Sequence, residues 1–182
     1  MPRPADPALP ERVLDAADAL WRQGGEAGVS IRGVAEKAKT TTPTVYSYFA
    51  DRETLLTALR ARAYRRFSDF MAKSTSFRNS CERHLEFADK HGRDYELLYG
   101  EGWFRRAAPE TRNAEIGVFA GHLVRAGMPE ERATETAYAI LMMLHGAAMH
   151  RLANDRPSPL SRKIRAACLS ACETLLRDAQ GR

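Results

Sequence analysis

No stretch of this 182-residue sequence approaches the roughly 18 uninterrupted apolar residues that a membrane-spanning helix needs. The opening twelve residues, MPRPADPALPER, carry no apolar segment of the kind a secretory signal requires. A cytoplasmic protein without a membrane partner is therefore expected. Cysteine is scarce: Cys81, Cys168 and Cys172 are odd in number and too few for a disulfide framework. Cys168 and Cys172 stand four apart and can share a helix face, but no further ligand at zinc spacing lies close to them. Buried thiols are the simplest expectation for them, and a redox-sensing thiol is the other. A phosphate loop, a metal cluster and a nucleophile–histidine–acid arrangement are all missing, so neither cofactor nor enzyme chemistry is expected.

What the chain does contain is enough apolar matter for a core, 44% of its residues, and a localised positive charge. The formal net charge is +5. Between Arg32 and Arg66, eight basic residues (Arg32, Lys37, Lys39, Arg52, Arg60, Arg62, Arg65, Arg66) outnumber three acidic ones (Glu36, Asp51, Glu53), and the rest of the chain is balanced. Such an excess suits a phosphate-backbone partner, although a solvated charged face would carry the same charge.

Hydrophobic spacing is helical almost throughout, which predicts an all-α chain. Residues 1–10 hold four prolines and are expected to form a flexible arm. Val13, Ala16, Ala17, Leu20 and Trp21 make one apolar stripe on a first helix, which Gly24, Gly25 and Gly28 end. Ser30 is placed to cap a second helix of about two turns, with Ile31, Val34, Ala35 and Ala38 inward. Thr41 is placed to cap a third, with Pro43 in its first turn, where a missing N–H forfeits no helical bond. Asp51 caps a fourth of ~20 residues that turns Leu55, Leu56, Leu59, Ala63, Phe67 and Phe70 inward and leaves Arg60, Arg62, Arg65 and Arg66 exposed. Two short helices between longer supporting ones describe a helix-turn-helix unit.

The stretch TTTPTVYSYF, Thr40 to Phe49, then acquires a chemical meaning. A helix-turn-helix presents the N-terminus of its second helix to the major groove, where short polar side chains meet base edges and free N–H groups meet phosphate. Thr41, Thr42 and Thr44 lie at that N-terminus, and a threonine offers both a hydroxyl and a methyl that fits the thymine C5 methyl. Tyr46 and Tyr48 add longer hydroxyl reach, Ser47 lies between them, and Val45 and Phe49 point back to a small core.

The span VAEKAKTTTPTVYSYFADRETLL, Val34 to Leu56, resembles the signature of the TetR family of bacterial transcriptional repressors. In that signature an Ala-rich short helix, a turn and a Thr-x-Tyr-x-x-Phe recognition helix lead to an acidic cap, a basic residue and a leucine pair. The resemblance runs over about 55 residues, Glu11 to Ala63. It implies that Thr42 and Pro43 lie at the base-contacting helix start, that Thr44 and Tyr46 grip phosphates, and that Tyr48 stands where the family often has histidine. It further implies that Arg52 meets the DNA backbone from the start of the fourth helix. Arg32 falls where some members read guanine, an exposed helix arginine being the equal alternative. The sequence departs from the pattern at the turn: Lys39 occupies a position usually held by glycine because φ is positive there, at a cost of roughly 1 kcal/mol.

Beyond Met71 the spacing predicts helices at about 77–91, 94–101, 110–126, 130–153 and 159–179, giving about nine in total. The expected organisation is an arm (1–10), a helix-turn-helix domain (11–56) and, as the resemblance implies, a ligand-binding and dimerisation domain (57–182). Two long C-terminal helices, the first with Tyr138, Leu141, Leu144 and Met149 and the second with Ile164, Leu169 and Leu175, carry enough apolar surface to pair with a second copy. Candidate ligand-binding residues are the aromatic and soft ones with polar company: His84, Phe87, Tyr95, Tyr99, Trp103, Phe104, Phe119, His122, Met142 and His145. Helical spacing produces the same stripe in a plain core, which is the commoner role for any single one of them. The implied function is a homodimeric repressor on a near-palindromic double-stranded DNA operator, released by a small hydrophobic effector. A helix-turn-helix activator or architectural protein without a ligand is the alternative, and an enzyme using His84, His122 or His145 as a base lacks any partner constellation.

Overall fold

Side-chain caps decide where most of the helices begin. Ser30, Thr41, Asp51, Ser76 and Ser158 each accept a hydrogen bond from the backbone N–H three residues on, at Gly33, Thr44, Thr54, Asn79 and Ser161. The computed structural model describes residues 6–100, 109–154 and 158–180, with residues 109–112 as backbone only. Among these the chain forms nine helices and no strand: α1 (Leu9–Gly28), α2 (Ile31–Lys37), α3 (Thr42–Tyr46), α4 (Arg52–Met71), α5 (Phe77–Lys90), α6 (Gly92–Tyr99), α7 (Pro109–Arg125), α8 (Glu130–Leu152) and α9 (Pro159–Ala179).

Helices α1 to α3 and the start of α4 make a small head around Val13, Ala17, Val34, Val45, Leu55 and Leu56. The rest of α4 packs with α5 and α6 in a larger body, where α5 also lies against α8 and α9, and α7 against α8. The expected division at residues 56–57 thus falls inside α4, which serves both layers.

Two differences from the expected boundaries have local causes. The first helix begins earlier than expected, at Leu9, whose side chain is buried, so Leu9 and Pro10 are helical. Pro10 lies within its first turn, as Pro43 does in α3, and Asp6 accepts from the Ala8 N–H and pairs with Arg12. At the other end Gly25 interrupts α1 with φ +60°, and one more turn follows before Val29.

The basic face of α4 is also less exposed than its spacing suggests. Helix α1 lies along it and supplies carboxylates, so Arg62 pairs with Glu11 and Asp15 at 3.0 and 2.7 Å, and Arg66 with Asp18 at 3.1 Å. Arg60 pairs with Glu53 at 2.7 Å on α4 itself. Arg60, Arg62 and Arg66 are half-buried as a result, and only Arg65 of the four stays exposed. Head and body are joined by a buried carboxylate: Asp94, at the start of α6, accepts from Arg22 of α1 at 3.1 Å through both oxygens and from Arg66 of α4 at 2.7 Å. Beside it the Trp21 indole N–H donates to the Arg93 carbonyl at 2.8 Å.

Candidate nucleic-acid interface and helical cavity

Helix α2 ends in a turn that sets the direction of α3. The Thr40 N–H bonds the Ala35 carbonyl at 2.9 Å and the Lys39 N–H bonds the Glu36 carbonyl at 3.1 Å, the paired bonds of a Schellman turn. Its left-handed residue is Lys39, with φ +55°. The sequence departure at this position therefore leaves the turn intact at the cost of backbone strain.

In α3 the buried side is Val45, with Phe49 just beyond the helix, and everything else faces out or lies half-exposed. The Thr41 hydroxyl caps the helix and shares a 2.8 Å hydrogen bond with the Thr44 hydroxyl, while the Ser47 hydroxyl donates to the Thr44 carbonyl at 2.7 Å. Thr42 and Pro43 stand at the helix start, and Tyr46 and Tyr48 are 50% and 38% exposed. Arg32 is exposed on α2. Arg32, Lys37 and Lys39 make no ion pair among the described residues, so these three cations of α2 and its turn carry the positive potential of this face.

Arg52 is placed differently from the rest of the set. Its guanidinium donates to the carbonyls of Val29, at 2.7 Å, and Glu26, and lies 3.6 Å from the Glu26 carboxylate. In this structure it clasps the start of α4 to the end of α1.

The ligand candidates gather mostly in one layer of the body. Tyr95 places its hydroxyl 2.9 Å from His84 Nε2 and 3.3 Å from His145 Nδ1, so it donates to one ring and accepts from the other. The Tyr99 hydroxyl donates to Glu115 Oε1 at 2.7 Å. The Tyr95 and Tyr99 rings lie 4.5 Å apart, and Phe67 meets His84, Phe87 and Tyr99 edge-on. In front of this layer a cavity of about 180 Å³ opens between α4, α5 and α7, lined by Tyr64, Phe67, Ser68, Met71, His84, Ala114, Glu115, Val118 and Phe119.

Of the sequence candidates, His84 and Phe119 line this cavity, Tyr95, Tyr99 and His145 form the layer behind it, and Phe87 is core. His122 points elsewhere, to Ser80 at 3.3 Å and Arg125 at 3.2 Å, and Met142 packs partly buried against the core. Trp103 and Phe104 lie outside the described residues. The residue that spacing missed is Glu115, whose one legible signal is its place four residues before Phe119 on the apolar side of α7.

Burial dominates the electrostatics of the layer. It pushes the His84 pKa down to about 3, with His145 adding a smaller effect, so His84 is neutral at pH 7. It pushes the Glu115 carboxyl up to about 7, against the opposing hydrogen bond from Tyr99. Both tyrosine hydroxyls are raised well above their ordinary value, first by burial and then by Glu115. The three cysteines are free and buried, and Cys172 is pushed up to about 12, away from the reactive thiolate form.

A three-helix head with an exposed hydroxyl-rich helix, set on a helical body, is the build of a helix-turn-helix transcriptional regulator. Residues 13–59 match the family described as "Bacterial regulatory proteins, tetR family", and residues 99–167 match the domain "Transcriptional regulator LmrA/YxaF-like, C-terminal domain", together more than half of the chain. The chain belongs to the TetR family of bacterial transcriptional regulators. Proteins of this family are regulators and not enzymes, which sets aside a catalytic role for His84, His122 or His145.

Among its relatives is the HTH-type transcriptional repressor KstR of Rhodococcus jostii (strain RHA1), 40% identical over 73 residues, or 40% of this chain and 34% of that protein. A second, an uncharacterised HTH-type transcriptional regulator of Mycobacterium tuberculosis (strain CDC 1551 / Oshkosh), is 36% identical over 76 residues, covering 38% of its length. The chain thus matches only about a third of the length of these curated relatives. Among solved structures, a transcriptional regulator from Rhodococcus sp. RHA1 superposes with TM-score 0.76 at 16% identity, over 94% of this chain and 97% of the other. A TetR-family transcriptional regulator from Streptomyces coelicolor does so with TM-score 0.72 at 18% identity, over 97% and 90%. At such identities the likeness speaks for the fold alone. No helix among the described residues is long and apolar enough to cross a membrane.

Proposed function

We propose that the protein is a cytoplasmic, ligand-responsive repressor that binds a near-palindromic operator as a homodimer and leaves it when a small hydrophobic effector enters the body. The observation that carries this reading is the outward row of α3 and the turn after it: Thr42, Pro43, Tyr46 and Tyr48 exposed or half-exposed, with α3 itself locked by Val45 and Phe49. Thr42 and Pro43 meet base edges, Thr44 and Tyr46 hold phosphates, and Arg32 reaches the groove from α2. Arg52 contributes by holding α4 against α1. Two copies are needed because one recognition helix reads one half-site, and exposed apolar side chains on the last two helices, Tyr138 and Leu160, support pairing there.

The cavity supports the ligand half of the reading. Tyr64, Phe67 and Met71 of α4 line it, and α4 also leads directly to the recognition unit, so an occupant that shifts α4 moves the two α3 helices out of register with successive major grooves. Effector and DNA then oppose each other by one coupling energy, typically ~1–3 kcal/mol. A gel shift on the DNA upstream of the gene, repeated at several salt concentrations, tests the DNA half: a specific shift with a steep salt slope is expected. Tyr46→Phe should weaken binding to all sequences alike, by severalfold, whereas Thr42→Ala should change sequence preference. Equal binding to unrelated DNA, or transcription raised by the bound protein, would sink the repressor reading in favour of an architectural protein or an activator.

A further inference from the structure

The cavity under α4 is lined by two side chains that each keep a buried polar atom without a partner, Glu115 Oε2 and His84 Nδ1. Both side chains are more than nine-tenths buried. Whichever way the Tyr95 hydroxyl donates, it engages His84 through Nε2 and leaves Nδ1 unpaired; Tyr99 likewise takes only Oε1 of Glu115. Unmade hydrogen bonds of this kind are costly inside a protein.

Resting on the reading of this chain as an effector-responsive regulator, we propose that the cavity takes an uncharged molecule of about single-ring size carrying a hydroxyl-type group, as a phenol does, that pairs with Glu115. Size comes first: the cavity measures about 180 Å³, and a dry apolar cavity of about 150 Å³ is enough to hold benzene. The walls are suited to a ring, being largely Phe67, Phe119, Tyr64, Met71 and Val118. Charge comes second. The ionisable groups of the lining are Tyr64, His84 and Glu115, none of them a cation at neutral pH, so a buried anion would go unpaired at heavy cost. With its carboxyl near 7, Glu115 is present both as acid and as carboxylate at neutral pH. A hydroxyl donates to the one and accepts from the other, an ammonium fits only the carboxylate, and a hydrocarbon satisfies neither. By contrast the cleft between α5, α8 and α9 is lined by Arg151, Arg162 and Arg165, the first and last of them paired with Asp89.

The test is calorimetric titration of the full chain, free of DNA, with phenol, toluene, benzoate and benzylamine. Phenol should bind at least about tenfold more tightly than the other three, the margin of one or two buried hydrogen bonds. Glu115→Leu should bring phenol and toluene to within a few-fold of each other while toluene still binds, and Val118→Trp, at an exposed position on the cavity rim, should block both. Should Glu115→Leu not fold, the infrared carboxyl band of the unaltered protein serves instead, because phenol and not toluene must shift it. Equal binding of any of the other three probes, a phenol preference that survives Glu115→Leu, or binding untouched by Val118→Trp overturns the proposal. A parallel gel shift separates the two readings. Phenol binding with no loss of operator affinity rejects the effector mechanism and leaves the ligand class standing. Operator release by a charged compound, with no phenol binding, rejects the ligand class and leaves the effector mechanism standing.

Discussion

Around α3, hydroxyls bond neighbours three residues away at the surface; in the buried layer of the body, polar side chains bond residues eleven to fifty positions distant. Thr41 bonds Thr44 and Ser47 bonds Thr44, all on the surface of α3. Tyr95 bonds His145 across 50 residues, and Asp94 is reached by Arg22 across 72. Local bonds build a shape that displays hydroxyls to a partner. Long-range bonds in a low-dielectric interior instead make a layer in which every missing partner is expensive, the condition under which a small molecule can alter packing.

The contact that joins the two regions should give the largest effect when broken. Asp94→Ala leaves Arg22 and Arg66 to share the single carboxylate of Asp18, and should lower stability by about 2 kcal/mol. Because the lost bonds tie α1 and α4 to α6, urea unfolding followed separately by head and body probes should split into two transitions. A single transition at the original midpoint would show that the regions are held together by other means.

Within the body, Glu115→Gln should alter how stability depends on pH. The Glu115 carboxyl is raised from 4.5 to about 7 on folding, so the folded state binds a proton that the unfolded state has lost. Its contribution is fully present below about pH 4.5, falls as pH rises, and is exhausted above about 7. His84 acts with the opposite sign: lowered from 6.5 to about 3, its contribution is lost as pH falls below about 6.5. The Gln variant keeps the histidine effect alone, and should gain on the parent protein between pH 4.5 and 7 in thermal melts. Parallel curves over that range would mean that Glu115 titrates normally.

Smallest is the effect in the head. Lys39→Gly relieves a left-handed residue and should raise stability by about 1 kcal/mol or less, as judged by the denaturant midpoint. It also removes one of three cations without an ion pair on α2 and its turn, so DNA affinity should drop and its salt slope should flatten. Unchanged salt dependence would place Lys39 away from phosphate.

The same contrast explains what could be seen in the sequence. Ser30, Thr41, Asp51 and the prolines at 10 and 43 act on the next turn of chain, so capping rules locate the starts of α2, α3 and α4, and breaks at Gly92, Pro109, Pro129 and Pro159 mark the later helices to within two residues. The family signature is legible for the same reason, being compressed into Val34 to Leu56. Partners supplied by another helix leave no mark in the local pattern. The carbonyls of Glu26 and Val29 that hold Arg52 could not be foreseen from its spacing, and Arg62 and Arg66 read as exposed are matched by acids of α1. The cavity was half legible: aromatic residues announced themselves, but the carboxylate that gives the site its polarity looked like one more acid on a helix.

Helix α4 has a mechanical consequence. Arg52 is clasped to α1 at one end, while Phe67, fifteen residues and ~22 Å further along, borders the cavity. A rigid rod of that length is a lever arm: a swing of about 5° displaces its far end by about 2 Å. A hydrogen bond to a base edge tolerates only a few tenths of an ångström before it weakens. In the proposed mechanism the mismatch between those two lengths lets a ring-sized wedge at the end of a stiff bar release DNA without any refolding.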